Sequence, residues 1–160
     1  MNAIRIRRAT VLDLEGVYTL FDLADRLHRQ AHPEIFREAA DPQEIKAYLR
    51  SELRNSETAI FAAEEQGRLV GVVLAKLQQT SDNPLLVKRR YVSVENLVVA
   101  EECRQRGIGQ ALMEQVHRWA KAQDIHAVYL TVWEFNQSAQ ALYRKLGYEM
   151  VHHRMRKELP

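Results

Sequence analysis

The chain has 160 residues, of which 46% are hydrophobic, so we expect one domain over residues 1–160 with a single core. Its 23 basic and 21 acidic residues leave a formal net charge of +2, which is too balanced to indicate a nucleic-acid partner. The single cysteine, Cys103, excludes an intrachain disulfide and favours a reducing compartment. No apolar run approaches the ~18 residues of a membrane span, and the N-terminus lacks a signal-peptide core. We therefore expect a cytoplasmic protein with no membrane partner.

One strand and two helices are predicted in the N-terminal part of the chain. Residues 3–8 alternate apolar and polar side chains, which is typical of a strand. Thr10 is a helix-cap candidate, and apolar residues then recur at helical spacing over residues 11–30. Asp41-Pro42-Gln43-Glu44 combines a cap residue, a proline at the first helical position and an acidic residue after it, which predicts a second helix to about Asn55.

The middle of the chain predicts three strands and a helix. Residues 58–64 and 69–77 are rich in β-forming residues and flank a short polar turn, which indicates an antiparallel hairpin. Residues 90–99 are predicted to form the next strand. A glycine turn follows, and an amphipathic helix is expected over residues 107–123.

The C-terminal part is predicted to add strand, helix and strand. Residues 126–133 are apolar enough for a central strand. Asn136 is expected to cap the last long helix and Gly147 to end it. Residues 148–157 are then predicted to return as a final strand. This order of elements, β α α β β β α β α β, favours a mixed sheet with helices on both faces.

Residues 94–113 combine a β-branched strand, a short charged loop and a Gly-x-Gly turn that opens directly into a helix. The first amides of a helix lack intrahelical partners and carry about half a positive charge, so such a turn can bind an anion, phosphate in particular. Gly107 and Gly109 lack a Cβ atom and allow a ligand to approach the main chain closely. Arg104 and Arg106 add cationic donors beside the turn. A plain tight connection between strand and helix is the structural alternative.

The run Arg104-Gln105-Arg106-Gly107-Ile108-Gly109 resembles the acetyl-CoA signature of the GCN5-related N-acetyltransferase (GNAT) family: Arg or Gln, two residues, Gly, one residue, then Gly or Ala. A second segment, residues 136–148, also resembles the family, and the overlap covers residues 91–151. The resemblance implies an α/β (α+β) fold, with a mixed, mostly antiparallel central sheet that splays open between strands 4 and 5 and carries helices on both faces. It also implies an N-acetyltransferase with acetyl-CoA as the acyl donor and an amine as the acceptor. No metal is expected, because His152 and His153 would fall on opposite faces of the predicted final strand.

The same resemblance assigns residues to the acetyl-CoA site. The backbone of Leu97, Val98 and Val99 would bind the pantetheine arm. The pyrophosphate would be held by the loop and first helical turn, which consist of Arg104, Gln105, Arg106, Gly107, Ile108, Gly109 and Gln110. Asn136 would touch the pantetheine or the adjacent wall, and Tyr143 would direct its phenol at the thioester sulfur.

Two residues are candidates for moving protons. Tyr143 can act as the acid that serves the leaving thiolate, although its helical spacing also suits a core aromatic residue. Glu95 is the candidate base, because its position on the strand predicts an inward carboxylate, and a salt bridge is the structural alternative. Glu134 is a weaker candidate. Some relatives place a glutamate where this chain has Thr131, so the identity of the base stays open.

The acceptor is an unspecified amine of a small molecule or a protein. By resemblance, residues 27–36 would line its site, whereas a solvated helix end is the structural interpretation. A non-catalytic acetyl-CoA-binding regulatory module is the main alternative function, because it would need the glycine turn but not Tyr143. The basic runs at residues 88–90 and 154–157 suggest nucleic acid more weakly than they suggest a solvated basic edge, so no nucleic-acid partner is expected. A homodimer is compatible with the resemblance.

Overall fold

The computed structural model describes residues 3–159, which form a five-stranded sheet and four α-helices. The strands are β1 (Arg5–Arg8), β2 (Thr58–Glu65), β3 (Arg68–Gln79), β4 (Arg90–Val99) and β5 (Val128–Leu130). The helices are α1 (Leu14–Ala31), α2 (Pro42–Arg54), α3 (Ile108–Ala122) and α4 (Gln137–Lys145), and short 3-10 turns occupy Val11–Asp13 and Glu101–Cys103. None of these helices is both long and apolar enough to cross a membrane.

The sheet has the strand order β1-β2-β3-β4-β5, and the neighbours from β1 to β4 are antiparallel. β5 is parallel to β4, so the predicted mixed and mostly antiparallel sheet is confirmed. Pairing between these two strands is confined to residues 92–94 of β4 and residues 128–130 of β5. β4 then continues to Val99, whereas the chain after Leu130 leaves the sheet. This divergence is the predicted splay between strands 4 and 5.

Helices cover both faces of the sheet, as predicted. Gly16 of α1 lies against Leu69, and a Cβ atom on this glycine would be 3.0 Å from the leucine Cδ1. On the other face, a Cβ atom on Gly71 would be 3.1 Å from Ile108 and 3.2 Å from Leu112 of α3. The core lies on both sides of β2 and β3, whose central residues are buried.

Local capping explains where the first two helices begin. Thr10 and Asp13 form a capping box, in which the Asp13 carboxylate accepts the Thr10 amide at 2.8 Å. The Asp41 carboxylate accepts the Gln43 amide at 2.8 Å, and Pro42 occupies the first helical position. Both predicted starts are confirmed, although the first helix opens with a 3-10 turn.

The strand predicted over residues 126–133 is wrong in its length and position. Only Val128–Leu130 forms β5, and it lies half-buried at the edge of the sheet rather than at its centre. The apolar run is long enough for a central strand, but its last part lies beyond the splay, where residues 3–159 place no strand beside it. Trp133 packs instead against the rings of His32 and Phe36.

The final strand predicted over residues 148–157 is not formed. Residues 149–159 have no regular secondary structure and are exposed, and Met155 is 92% exposed. A strand needs a neighbour that pairs with its backbone groups. No strand within residues 3–159 pairs with this segment, so its side-chain pattern alone does not make it β-structure.

Candidate active site

The splay leaves the outer edge of β4 open along its last residues. The Ala100 amide donates to the Val70 carbonyl of β3 at 2.9 Å, and hydrogen-bonding direction alternates along an antiparallel ladder. Val98 therefore pairs with β3, whereas the backbone groups of Leu97 and Val99 point to the open edge. The Val99 carbonyl accepts the Arg104 Nε there at 3.2 Å. Leu97 and Val99 thus present main-chain hydrogen-bonding groups to the cleft, and Val98 presents its groups to β3.

Glu95 lies in a β-bulge at the apex of the splay. Leu74 pairs with Asn96 and Ala75 pairs with Val94, so Glu95 has no partner on β3. Val94 is also the last residue of β4 that pairs with β5. The Glu95 side chain is exposed rather than buried, and its carboxylate accepts the Ser93 hydroxyl at 2.6 Å. Glu95 therefore carries a solvent-accessible carboxylate on the residue next to the point where the two strands part.

The glycine turn joins β4 to α3 through two left-handed residues. Gln105 has φ of 60° and Gly107 has φ of 78°, a conformation that glycine adopts without steric cost. The Ala111 amide donates to the Gly107 carbonyl at 3.0 Å and closes the first turn of α3. Gly107 has no side chain to cap the helix, so the amides of residues 108–110 lack intrahelical partners and face outward from the helix end. Free amides at a helix N-terminus can bind an anion.

The two arginines of the turn are already engaged with protein groups. Arg106 forms an ion pair with Glu65 at the end of β2, with nitrogen–oxygen distances of 2.6 and 3.1 Å. The Arg106 guanidinium holds the pKa of the Glu65 carboxyl below its usual value. Arg104 donates to Val99, as described above. The expected cationic donors therefore help to fix the loop, and the free amides of α3 remain the unpaired donors of the turn.

α4 carries the two remaining predicted site residues. Asn136 caps this helix, since its side-chain oxygen accepts the Ala139 amide at 3.2 Å. Tyr143 is partly buried, and burial raises the pKa of its phenol to about 12. Within residues 3–159 the hydroxyl has no hydrogen-bond partner, yet it is not sealed from solvent. Tyr143 therefore offers a protonated and unpaired hydroxyl.

An aromatic cluster lies beyond the end of β5. It combines rings from the end of α1, the segment after it and the segment after β5, namely His28, His32, Phe36, Trp133 and Phe135. Neighbouring ring centroids are 4.9 to 5.9 Å apart in these contacts. Trp133 and Phe135 were not among the predicted site residues, because the sequence places Trp133 at the end of a predicted strand and gives no further signal than two nearby aromatic side chains. The cluster brings the predicted acceptor segment, residues 27–36, against the segment after β5.

The model of the acetyltransferase (GNAT) family matches residues 18–148. The chain belongs to this family. The resemblance carried by residues 104–109 and 136–148 is thereby confirmed.

Two relatives match this GNAT chain over most of its length. The uncharacterized N-acetyltransferase YhfO of Bacillus subtilis is 29% identical over 146 residues, which cover 91% of this chain and 90% of that protein. An N-alpha-acetyltransferase of Sulfurisphaera tokodaii is 30% identical over 152 residues, covering 92% of this chain and 81% of that protein.

Solved structures share the same architecture. A crystal structure of a mutant of the BH1408 protein from Bacillus halodurans has a TM-score of 0.89 at 27% identity and covers 98% of this chain and 99% of that chain. The aminoglycoside N-acetyltransferase AAC(6')-Iy in complex with CoA has a TM-score of 0.77 at 20% identity, with 99% and 96% covered, which establishes a common fold. This GNAT protein is therefore an N-acetyltransferase, and its family indicates acetyl-CoA as the cosubstrate.

Proposed function

We propose that the enzyme transfers an acetyl group from acetyl-CoA to a primary amine by direct attack of the amine on the thioester in a ternary complex. The observation that carries the proposal is the continuity of the open β4 edge with the free amides at the start of α3. The pantetheine arm of acetyl-CoA is extended, contains amides and ends at a pyrophosphate. It therefore matches the order of the β4 backbone groups followed by the α3 amides.

The main chain would hold the donor. Leu97 and Val99 supply backbone groups to the pantetheine amides, and the amides of residues 108–110 supply donors to the pyrophosphate. Arg104 now donates to the Val99 carbonyl, and on binding it would exchange that bond for contact with the ligand. Holding both substrates in one geometry lowers the entropic part of the barrier, which is a major source of acceleration in such transfers.

Tyr143 would serve the departing sulfur. Its phenol is protonated throughout the neutral pH range, because burial raises its pKa to about 12. A thiol has a reference pKa of about 8.5, so the phenol gives the developing thiolate a hydrogen bond more readily than a complete proton. As the amine nitrogen bonds to the carbonyl carbon and the carbon–sulfur bond breaks, this hydrogen bond stabilises the charge that collects on sulfur.

Glu95, directly or through water, would take the proton that the amine loses. An alkylamine has a reference pKa of about 10.4 and must be neutral to attack, so a nearby carboxylate lowers the cost of deprotonation. The position of Glu95 supports this role, because the bulge places this residue at the apex of the splay, where the thioester would lie. Glu134 follows β5 on the other side of the splay and is the alternative base.

The acceptor would approach past the aromatic cluster. Trp133 and Phe135 follow the strand that forms one wall of the splay, and residues 28–36 face them from α1 and the segment after it. Aromatic faces attract ammonium groups and pack against apolar chains, so this surface suits an amine that carries an apolar or cationic body. Both small-molecule amines and protein amines fit this description.

Two measurements test the proposal. Isothermal titration calorimetry with acetyl-CoA should give saturable binding, and release of the CoA thiol should depend on a primary amine drawn from a panel of amino acids, polyamines, aminoglycosides and peptide N-termini. Tyr143→Phe should lower kcat by about tenfold to a hundredfold while acetyl-CoA affinity stays within about twofold. Absence of acetyl-CoA binding would overturn the proposed function, and an unchanged kcat would remove the role of Tyr143.

A further inference from the structure

Tyr143 and Tyr148 are joined by the C-terminal cap of α4. The Tyr148 amide donates to the Tyr143 carbonyl at 3.0 Å, and the Gly147 amide donates to the Arg144 carbonyl at 3.0 Å. Gly147 has φ of 85°, the left-handed conformation that this Schellman motif requires. The motif turns the chain back on the last helical turn. It brings the rings of the two tyrosines to a centroid distance of 5.7 Å, edge to face.

The Tyr148 hydroxyl is in turn anchored to α3. It lies 2.8 Å from Nε2 of His117, and the two rings are 5.8 Å apart. Burial lowers the pKa of His117, and burial together with the neighbouring Tyr143 raises the pKa of Tyr148. The imidazole is therefore neutral and the phenol protonated at neutral pH, so the phenol can donate this hydrogen bond to the ring nitrogen.

These contacts matter because they hold the C-terminal end of α4, where Tyr143 lies. None of its residues is fully buried. Its N-terminal half is held by Gln140, which donates to the Trp133 and Glu134 carbonyls at 3.3 and 2.9 Å. Leu142 lies against Gly109 of α3, and at the C-terminal end Tyr148 is bonded to His117. The Tyr143 hydroxyl has no partner of its own among residues 3–159. Its direction therefore depends on how the backbone of α4 and the adjacent Tyr148 ring are held.

We propose that Tyr148 and His117 are positioning residues that keep the Tyr143 phenol directed at the thioester sulfur. This inference rests on the proposed role of Tyr143. Tyr148 transmits the constraint through its ring contact with Tyr143 and through the cap, and His117 fixes Tyr148. Displacement of a reacting group by a fraction of an ångström slows the chemical step without weakening donor binding.

Four variants test the positioning role. Tyr148→Phe keeps the ring and removes the hydrogen bond, and we expect kcat to fall about threefold to tenfold with an unchanged KM for acetyl-CoA. His117→Leu should give the same loss. His117→Gln, which places an amide near the position of Nε2, should retain most of the activity. Tyr48→Phe is the matched control, because it also removes one tyrosine hydroxyl, here on α2, to which the Lys76 ammonium donates at 3.1 Å. This variant should leave kcat unchanged.

A double-mutant cycle then separates positioning from a general structural effect. If Tyr148 acts through Tyr143, Tyr148→Phe should cause no further loss of kcat in the Tyr143→Phe background. If Tyr148→Phe lowers kcat by the same factor in the parent protein and in the Tyr143→Phe background, the inference is overturned. It is also overturned if Tyr143→Phe lowers kcat and Tyr148→Phe does not. A normal kcat for Tyr143→Phe alone would instead overturn the role of that phenol, and this inference with it. Thermal melting shows that each variant is folded, and Tyr148→Phe keeps the test decisive if His117→Leu does not fold.

Discussion

Gly109 of α3 lies directly beneath Leu142 of α4, so that a Cβ atom on the glycine would be 3.1 Å from the leucine Cδ2. The same Cβ atom would be 3.9 Å from side-chain atoms of Leu97 and Val99 on the open edge of β4. The absence of a side chain at this position therefore serves two purposes. It lets α4 approach α3, and it keeps the space between the open edge and the first amides of α3 clear.

Gly109→Val should weaken acetyl-CoA binding by about tenfold or more, because its branched side chain would push against Leu142 and fill that space. Valine is chosen because the family signature permits alanine here. Calorimetric titration with acetyl-CoA measures the change. Gly16→Val is the matched control, since its Cβ atom would meet Leu69 at 3.0 Å on the opposite face of the sheet. Equal acetyl-CoA affinity in the two variants would contradict the proposed donor path.

Glu95→Gln should lower kcat/KM for the amine by about tenfold to a hundredfold at neutral pH, because the amide cannot accept the proton that the amine loses. The KM for acetyl-CoA should not change, since the proposed donor contacts are made by main-chain groups. Glu134→Gln is the informative comparison. A large loss in Glu134→Gln together with a normal Glu95→Gln would assign the base to the β5 side of the splay.

Trp133→Ala should raise the KM for the amine by about fivefold to thirtyfold and leave the KM for acetyl-CoA unchanged. The ring centroid of Trp133 lies 4.9 Å from that of His32 and 5.3 Å from that of Phe36. Loss of the indole therefore opens the wall past which the acceptor would approach. Steady-state kinetics with each substrate varied in turn supplies its own control. A change confined to acetyl-CoA would show that the aromatic cluster belongs to the donor side.

Asp13→Asn should reduce the free energy of unfolding by about 2 kcal/mol at pH 7. Hydrogen bonds from Arg7 at 2.8 and 2.9 Å outweigh the effect of burial and lower the pKa of Asp13 from 3.8 to about 2. A lowered pKa in the folded state stabilises the protein above the unfolded-state value, and this contribution is lost as the pH falls through about 2.

Urea unfolding at several pH values checks this prediction. The difference between Asp13→Asn and the parent protein should shrink between pH 4 and pH 2, in the window given by the 3.8 and about 2 pKa values. Asp82→Asn is the control: Asp82 pairs with Lys88 at 2.8 Å, but its side chain is 87% exposed, so the cost should stay below about 0.5 kcal/mol. A pH-independent difference for Asp13→Asn would contradict the pKa argument.

Signals that act over a few residues were sufficient to predict much of the fold. Thr10 and Asp41 identified the starts of two helices because a capping side chain bonds an amide only two or three residues away. The strand at Arg90–Val99 was predicted with correct bounds from its β-branched residues, and the turn that follows it was predicted from its glycines. The strand predicted over residues 148–157 failed because its side-chain pattern says nothing about whether a neighbouring strand is present.

The site depends on pairings that no local pattern contains. Glu95 lies in a bulge only because Leu74 and Ala75 of β3 pair with residues on either side of it. Arg106 is held by Glu65, which is 41 residues away along the chain. The side-chain type at each of these positions was visible in the sequence, but its partner was not.

The amino-acid sequence was enough to identify the helix starts, the glycine turn and the acetyltransferase family, because capping, turn conformation and hydrophobic period are properties of short segments. The tertiary structure was needed to locate the bulge at Glu95, the aromatic cluster around Trp133 and the bond between Tyr148 and His117. Each of these features arises where segments distant along the chain pack together, and the free energy that selects such contacts belongs to the folded molecule as a whole.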